Sequence, residues 1–575
     1  MNALTTVRRR LLAAAGRGPV DLVLRGGMIA DVFQGRLFRA DLAIVDGIIV
    51  GWGDYDGPGL DVSGQVICPG LIDGHIHLES TLLAPPEFAR AVVPHGTTAV
   101  VCDPHEIVNV AGRLGLDYIL GFRERLPVDL LVMLPSCVPA SPYETNGADF
   151  GLADLEHFRG RAGVLGLAEV MNFPGVIQGE PAVLEKIAVF QGGVVDGHAP
   201  GLGGRGLNAY RLAGMGSDHE STTLAEAHER LARGFYLMIR EGSTAKNLAD
   251  LLPAVTPSSR RRVMLVSDDR NPEDLRCCGH LDATFRQAVA LGCSPLDALT
   301  MVTLNPAEYF RLWDRGAVAP GYRADLVVVD SLETFRVDKV LKNGHLVADG
   351  GSLLAPLPEA GAGAPRPRLR IKDLSPQSLV IPAVGDTVKV IGLIPGQILT
   401  DKLVVPTPVC NGVVQADLSR DILKLAVLER HRGTGNVGLG LVHGFGLQRG
   451  AMAATVAHDS HNLMVVGVND ADMLAAARHL VELGGGLAVA ADGKILADLP
   501  LPVAGLMSLA SLAEVTARLT RLQQTCQALG ALPPDPFMAL SFLSLPVIPR
   551  LKLTDRGLVD VRHFALVPLF GDDKG

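Results

Sequence analysis

Eight short apolar runs alternate with amphipathic stretches through the first half of this chain of 575 residues, and that rhythm constrains its fold more than any other feature. The runs are VICPGLIDGHIH, TTAVVCDPHE, VDLLVMLPSC, GVLGLAEVMN, GVVDGHAP, GMGSDHE, GFYLMIREG and RVMLVSDDR. Stretches with helical periodicity follow them, among them PEFARAVVPHG, LDYILGFRERL, VLEKIAVFQGG, LAEAHERLARG and LDATFRQAVALG. Eight such units in ~250 residues predict an α/β chain built on a (β/α)8 barrel of the TIM type. The sixth run is the shortest and holds a glycine.

Strand-rich segments flank the barrel region. Residues 20–53 contain DLVLRGG and RADLAIVDGIIVGWG, with Asp46-Gly47 as the turn, and the texture returns at 323–350 in RADLVVVD and VDKVLKNGHLVADG. One small composite β domain, assembled from both sides of an insert, is the economical expectation. The layout expected is therefore 1–68 and 318–350 as the two parts of the composite β domain and 69–317 as the barrel. A linker rich in Ala, Pro and Gly follows over 351–369, then a C-terminal α/β domain over 370–575. In the last region SLASLAEVTARLTRLQQ reads as a helix, AMAATVA as helix-like and LMVVGV as a strand.

Composition excludes several partners. Lys and Arg number 52 against 61 Asp and Glu, a net charge of −9, and aromatics are 5%. Neither a cationic face nor a base-stacking platform is implied, so no nucleic-acid partner is expected. No apolar run reaches the ~18 residues of a membrane span, and the N-terminal run Leu11 to Ala15 is shorter than a signal peptide's ~7–15. The eight cysteines form no CxxC pair and read as free thiols of a reducing, cytoplasmic setting.

Metal-capable residues fall at the ends of the runs: His75 and His77 on the first, Asp103, His105 and Glu106 on the second, Glu169 on the fourth, His198 on the fifth, His219 on the sixth, and Ser267, Asp268 and Asp269 on the eighth. Barrel enzymes place their sites at these C-terminal strand ends. Alternation along a strand points His75 and His77 the same way. A carboxylate in the apolar run VLGLAEVMN is costly unless it meets a cation. A lone HxH is a weak signal and His228, within LAEAHERLARG, reads as a helix-face residue, but four histidines and two carboxylates recurring at strand ends point to a metal centre. Six ligands exceed one tetrahedral site, so two ions bridged by Glu169 and a hydroxide are expected, and with them hydrolysis at an electrophilic carbon. Ligand type alone does not choose among Zn, Mn and Fe.

Several longer motifs carry a resemblance. PGLIDGHIH (69–77), TLNPAEYF (303–310) and GYRADLVVVD (321–330) resemble the amidohydrolase superfamily. GHIHLEST (74–81), PHGTTAVVCDPHEIVNVAG (94–112), AEVMNFPGV (168–176), DGHAPGL (196–202), SDHEST (217–222) and the distal VAHDSHN (456–462) are similar to the adenine deaminase family within it, over nearly the whole chain. The resemblance implies hydrolysis of adenine to hypoxanthine and ammonia, by a hydroxide between two Mn2+ or Fe2+ ions (Zn2+ also suits) that attacks purine C6. It implies His75, His77, Glu169, His198, His219 and Asp268 as ligands. Asp268 would take the hydroxide's proton, and Asp103 and Glu106 would shuttle a proton or grip the purine, since amide ion cannot leave and ammonia can. His105, Ser267, His458 and Asp459 are the expected substrate contacts, and a homo-oligomer, a dimer, the expected assembly.

Other readings compete at single points. Asp103-Pro104 also reads as a turn. The cluster His458, Asp459, Ser460 and His461, with His443 before it, reads equally as a polar turn or as a cover for the barrel mouth. His77-Leu78-Glu79 matches the HxE of cytidine-type deaminases, but no PCxxC exists; His105-Glu106 is one residue short of HExxH; and Gly433, Gly435 and Gly438 satisfy GxGxxG before a strand-like segment, as a glycine turn would. A cyclic-amide hydrolase of the hydantoinase or dihydroorotase kind, or a deaminase of another aminated heterocycle, is the rival enzyme. Many of the former bridge their metals with a carboxylated lysine, whereas the fourth run here offers Glu169, with Lys186 in the next helix. A non-enzymatic barrel scaffold would have lost part of the ligand set.

Overall fold

A computed structural model describes residues 3–366, 369–395 and 397–571, so residues 367 and 368 of the expected linker and 572–575 of the expected C-terminal domain lie outside the described residues. The eight apolar runs form eight strands: β1 Leu71–Ile76, β2 Thr97–Cys102, β3 Asp129–Leu134, β4 Val164–Val170, β5 Val194–Gly197, β6 Ser217–Asp218, β7 Tyr236–Arg240 and β8 Val263–Val266. β1 to β5 lie side by side in chain order, as do β6 to β8, and every pairing is parallel. The two curled sheets meet at both seams. The Gly216 N–H donates to the Val195 carbonyl at 2.8 Å, and a parallel bridge joins Ile76 to Asp268, just past β8. β1, β2 and β8 are buried along their whole length, which is why these runs read as unbroken apolar stretches rather than alternating ones.

Helices cover the strands where the periodicity placed them, at Pro85–Val92, Arg113–Leu120, Pro181–Val189, Leu224–Ala232 and Leu281–Ala290. Local signals start them. Thr223 caps Leu224–Ala232 by accepting from the Glu226 N–H while Glu226 reaches back, and Pro181 opens its helix where an N–H would have no partner.

A seven-stranded sheet interleaves the two flanking segments, in the order Ser352–Leu353, His345–Asp349, Val337–Lys342, Leu326–Val329, Val66–Pro69, Met28–Asp31 and Arg36–Arg39. Leu326–Val329 runs antiparallel to Val66–Pro69 across 260 residues of chain. Asp46 and Gly47, both at positive φ, turn Leu42–Val45 back onto Ile48–Trp52 in a second sheet.

The C-terminal region centres on an eight-stranded sheet, with the helix Asp470–Leu483 packed on it through Met473, Ala476, Ala477 and Leu480. The expected helix appears at Leu512–Ala528. AMAATVA is not helical: Ala451–Ala454 is a buried interior strand between Leu463–Gly467 and Gly486–Ala491. Small side chains fit that crowded site, and sheet context overrides alanine's helical propensity. This region docks on the strand-end face. The Ser508 N–H donates to the Leu82 carbonyl at 2.8 Å and its carbonyl accepts from the Ala84 N–H at 3.2 Å, Asn462 donates to the Thr145 carbonyl at 2.8 Å, and one apolar core runs continuously from Leu78, Leu83 and Phe88 to Leu487, Leu519 and Phe537. Among the described residues no helix is long and apolar enough to cross a membrane.

Candidate metal centre

Past the ends of β1, β4, β5 and β6 and at the bridge after β8, side chains from some two hundred residues of chain converge. His75, His77, Glu169, His198, His219 and Asp268 are each at most 7% exposed. His75 stacks on His219 with ring centroids 4.2 Å apart. The Asp268 Oδ1 lies 3.4 Å from His75 Nε2 and 3.3 Å from His77 Nε2. Glu169 sits between two imidazole sets: Oε2 is 2.7 Å from His198 Nδ1 and 2.9 Å from His219 Nε2, while Oε1 faces His77 Nε2 at 3.6 Å.

Backbone geometry sets these positions. Asp268 takes a positive φ of 55°, its N–H donates to the His75 carbonyl and its own carbonyl accepts from the His77 N–H, so the eighth strand end is stitched across the first. Glycine is required just before His198, because a Cβ at Gly197 would lie 2.4 Å from the Ser217 carbonyl oxygen. Beneath the ligands the buried Asp73 accepts from the Ser267 hydroxyl at 2.5 Å and stands 3.0 Å from His280 Nε2, tying β1 to β8 and to the helix after it.

The donor set fits cations. His77 Nδ1 donates to the Asp103 carbonyl at 3.1 Å, which fixes the tautomer and leaves the Nε2 lone pair facing inward. His75 Nε2, His105 Nδ1 and Asp103 Oδ2 are buried with no hydrogen-bond partner, a costly state for protein atoms that a cation relieves. Ligand atoms within 4.8 Å of one another form overlapping groups: His75 with His77 and Asp268, His75 with Glu169 and His219, and His77 with Asp103, His105 and Glu169. Glu169 belongs to two of the three. Burial opposes ionisation of Glu169, yet His198 and His219 hold its carboxyl well below the usual range.

The second strand end supplies a further layer. Asp103 Oδ1 accepts from the His105 N–H at 3.2 Å, the turn its sequence allows, and Oδ2 still faces His105 Nδ1 at 3.1 Å. His105 Nε2 lies 3.4 Å from Glu106 Oε1 and 3.7 Å from Asp459 Oδ1. Glu106 receives His458 Nδ1 on Oε1 at 2.5 Å and His461 Nε2 on Oε2, so the distal cluster does reach the strand ends. Burial works against its charge, but His458, His461 and His105 hold Glu106 well below the carboxylate range. Burial likewise disfavours the charged His458 ring, and Glu106, Asp269 and Asp459 outweigh it, raising His458 to about 9.

Ser267 donates its hydroxyl to Asp73 Oδ2 at 2.5 Å. His443 is exposed at the end of its strand, away from the cluster.

The sequence reading missed Glu220 and Arg240. The Arg240 guanidinium grips Glu220 through both oxygens and donates to Asp268 Oδ2 at 3.2 Å, leaving Oδ1 to the histidines. A charge closing the apolar run GFYLMIREG was the available signal, the same one that marked Glu169. Glu79 was missed as well. Its Oε1 accepts from the Ile107 N–H at 3.0 Å, and burial with Glu106 nearby raises its carboxyl to about 7.

Comparison with known proteins finds relatives over nearly the whole chain. Residues 66–347 match the model of the amidohydrolase family, and 397–565 that of the adenine deaminase C-terminal domain. The chain is 50% identical over 558 residues to "Adenine deaminase 2" of Carboxydothermus hydrogenoformans, covering 97% of this chain and 98% of that one. It is 48% identical over 566 residues to an adenine deaminase of Desulfatibacillum aliphaticivorans, covering 97% and 99%. A β-aspartyl dipeptidase of Fervidobacterium islandicum superposes with a TM-score of 0.45 at 16% identity, over 58% of this chain and 98% of that one. The chain belongs to the adenine deaminase family of the amidohydrolases.

Proposed function

We propose that the chain hydrolyses adenine to hypoxanthine and ammonia at a centre of two divalent cations, Mn2+ or Fe2+, held by His75, His77, Glu169, His198, His219 and Asp268. The observation that carries it is Glu169, one oxygen toward each imidazole set, with Asp268 across from it. The β1–β8 strands are read as one closed (β/α)8 barrel spanning 69–317, with 1–68 and 318–350 as a composite β domain, 351–369 as linker and 370–575 as the C-terminal α/β domain. When bound, the cations lower the pKa of water and polarise the group it attacks.

The protein's own residues then move protons. Water provides the oxygen that replaces the amino group at C6, and its two protons end on the ring nitrogen beside C6 and on the departing ammonia. Asp268 takes the first proton on Oδ1, because Arg240 occupies Oδ2. Glu106, with Asp103, carries a proton to the leaving nitrogen, a service worth ~10²–10⁴-fold in general acid catalysis. His105 and Asp459 face the same space and are assigned to grip the purine, with His458 behind them. Burial of every group named excludes bulk water. Many enzymes of the cyclic-amide alternative use a carboxylated lysine among the ligands, whereas Lys186 here donates to the Ser136 carbonyl at 2.7 Å. The eight cysteines are free, in keeping with a cytoplasmic setting, and the expected dimer is checked by light scattering.

The test is direct. Protein purified with manganese is mixed with adenine, adenosine and dihydroorotate separately, and ammonia release is followed. Ammonia from adenine alone, lost on chelation and in Asp268→Asn, is expected. Silence toward adenine at full metal loading would overturn the assignment.

A further inference from the structure

Glu106, His458 and His461 bring ligand-type atoms together as a cation site does, with both carboxylate oxygens and two imidazole nitrogens in one buried place. The tautomer of His461 argues otherwise. Its Nδ1 accepts from the Ala457 backbone N–H at 3.0 Å, so Nδ1 offers a lone pair and the ring proton sits on Nε2, the atom that faces Glu106. A nitrogen that carries a proton cannot ligate a metal, and it is an N–H donor to the carboxylate. His458 presents Nδ1 to the other oxygen.

Both rings are fixed from behind by the C-terminal region. The His458 N–H donates to the Ser541 carbonyl at 3.1 Å, the Ser544 hydroxyl donates to the His458 carbonyl at 2.9 Å, and the ring lies flat on Phe542 with centroids 4.6 Å apart. The His461 N–H donates to the Ala457 carbonyl at 2.7 Å, and its own carbonyl receives the Nε of Arg430, a fully buried side chain that also donates to the Ala504 carbonyl at 3.1 Å. A carboxylate taking one donor on each oxygen from rigid rings has a single rotamer and a single orientation.

We propose that His458 and His461 are positioning residues that aim Glu106 at the reacting centre, so that the C-terminal domain completes the catalytic machinery of the barrel without touching a metal ligand. This deepens the reading of Glu106 as the proton carrier and rests on it. The ~10²–10⁴-fold service of an acid–base group depends on its geometry being productive before the reaction starts.

The two rings offer different nitrogens, and that gives a test a merely structural role would not pass. A glutamine amide stands about where Nε2 does and an asparagine amide about where Nδ1 does. We therefore compare His461→Gln with His461→Asn, and His458→Asn with His458→Gln, measuring kcat, KM, cation content and unfolding midpoint. His461→Gln should exceed His461→Asn in kcat by at least ~10-fold and His458→Asn should exceed His458→Gln by as much, with KM and cation content alike within each pair. Both members of a pair remove the same ring, so a general loss of folding cannot produce this crossed ordering. Equal kcat within both pairs, while Glu106→Gln is slow, overturns this inference alone. Full kcat in Glu106→Gln overturns the reading of Glu106 and this inference with it. Loss of a cation from the His461 variants would mark a third metal site and overturn it too.

Discussion

Glu144 is buried with its Oε1 accepting from the Ser141 N–H and hydroxyl and its Oε2 without a hydrogen-bond partner. Burial, with Asp459 and Asp555 nearby, raises its carboxyl to about 8. The folded chain therefore holds a proton that the unfolded chain releases near the ordinary glutamate value of 4.5, and stability falls as pH rises through that interval. Glu144→Gln should remove this part of the slope. Urea unfolding of both proteins at about pH 5 and about pH 8 checks it, and parallel behaviour of the two would refute it. Glu169→Gln should lose at least ~10³-fold in ammonia release together with bound metal, measured by elemental analysis, because a neutral amide cannot serve two imidazole sets at once. The strand-end histidines and Glu169 were legible because a polar group closing an apolar run is anomalous in one dimension. Arg240 carried the same signal and was passed over, whereas Glu144 was not legible, because what makes it unusual is Asp459, brought near only by folding.

Among the elements, β6 is the most precarious, two residues long and followed directly by His219. It is held by Arg230, from the helix Leu224–Ala232, which is wholly buried and donates to Asp218 Oδ2 at 2.9 Å and to the Ala199 carbonyl at 2.7 Å. Arg230→Met leaves Asp218 as an uncompensated buried carboxylate and should cost about 3–5 kcal/mol. Because Ala199 and Asp218 each adjoin a ligand, cation affinity should fall alongside the unfolding midpoint, which titration with Mn2+ would register. The strands of the barrel region were readable from apolar runs buried along most of their length. Ala451–Ala454 was misread because three alanines and one methionine carry no clear period, and only the strands on either side of them decide their state.

At the level of the whole molecule, the C-terminal region is structural cover and chemical partner at once. Ending the chain after the flanking sheet would uncover Leu83 and Phe88 and leave Glu106 without either imidazole. Such a truncation should be poorly soluble and release no ammonia even when loaded with manganese, as soluble yield and assay would report. Stripping the cations from the intact protein should abolish ammonia release and lower the unfolding midpoint, both restored by adding Mn2+, since a ligand bound only by the folded state stabilises it by mass action.

The interleaved sheet has a bearing on how the protein is born. Val66–Pro69 pairs on one side with Met28–Asp31, already made, and on the other with Leu326–Val329, which leaves the ribosome about 260 residues later. At ~5–20 residues per second the wait is on the order of ten to fifty seconds. Throughout that time the nascent chain carries an unpaired apolar edge, so its hazard of aggregation is concentrated in translation rather than in the finished enzyme.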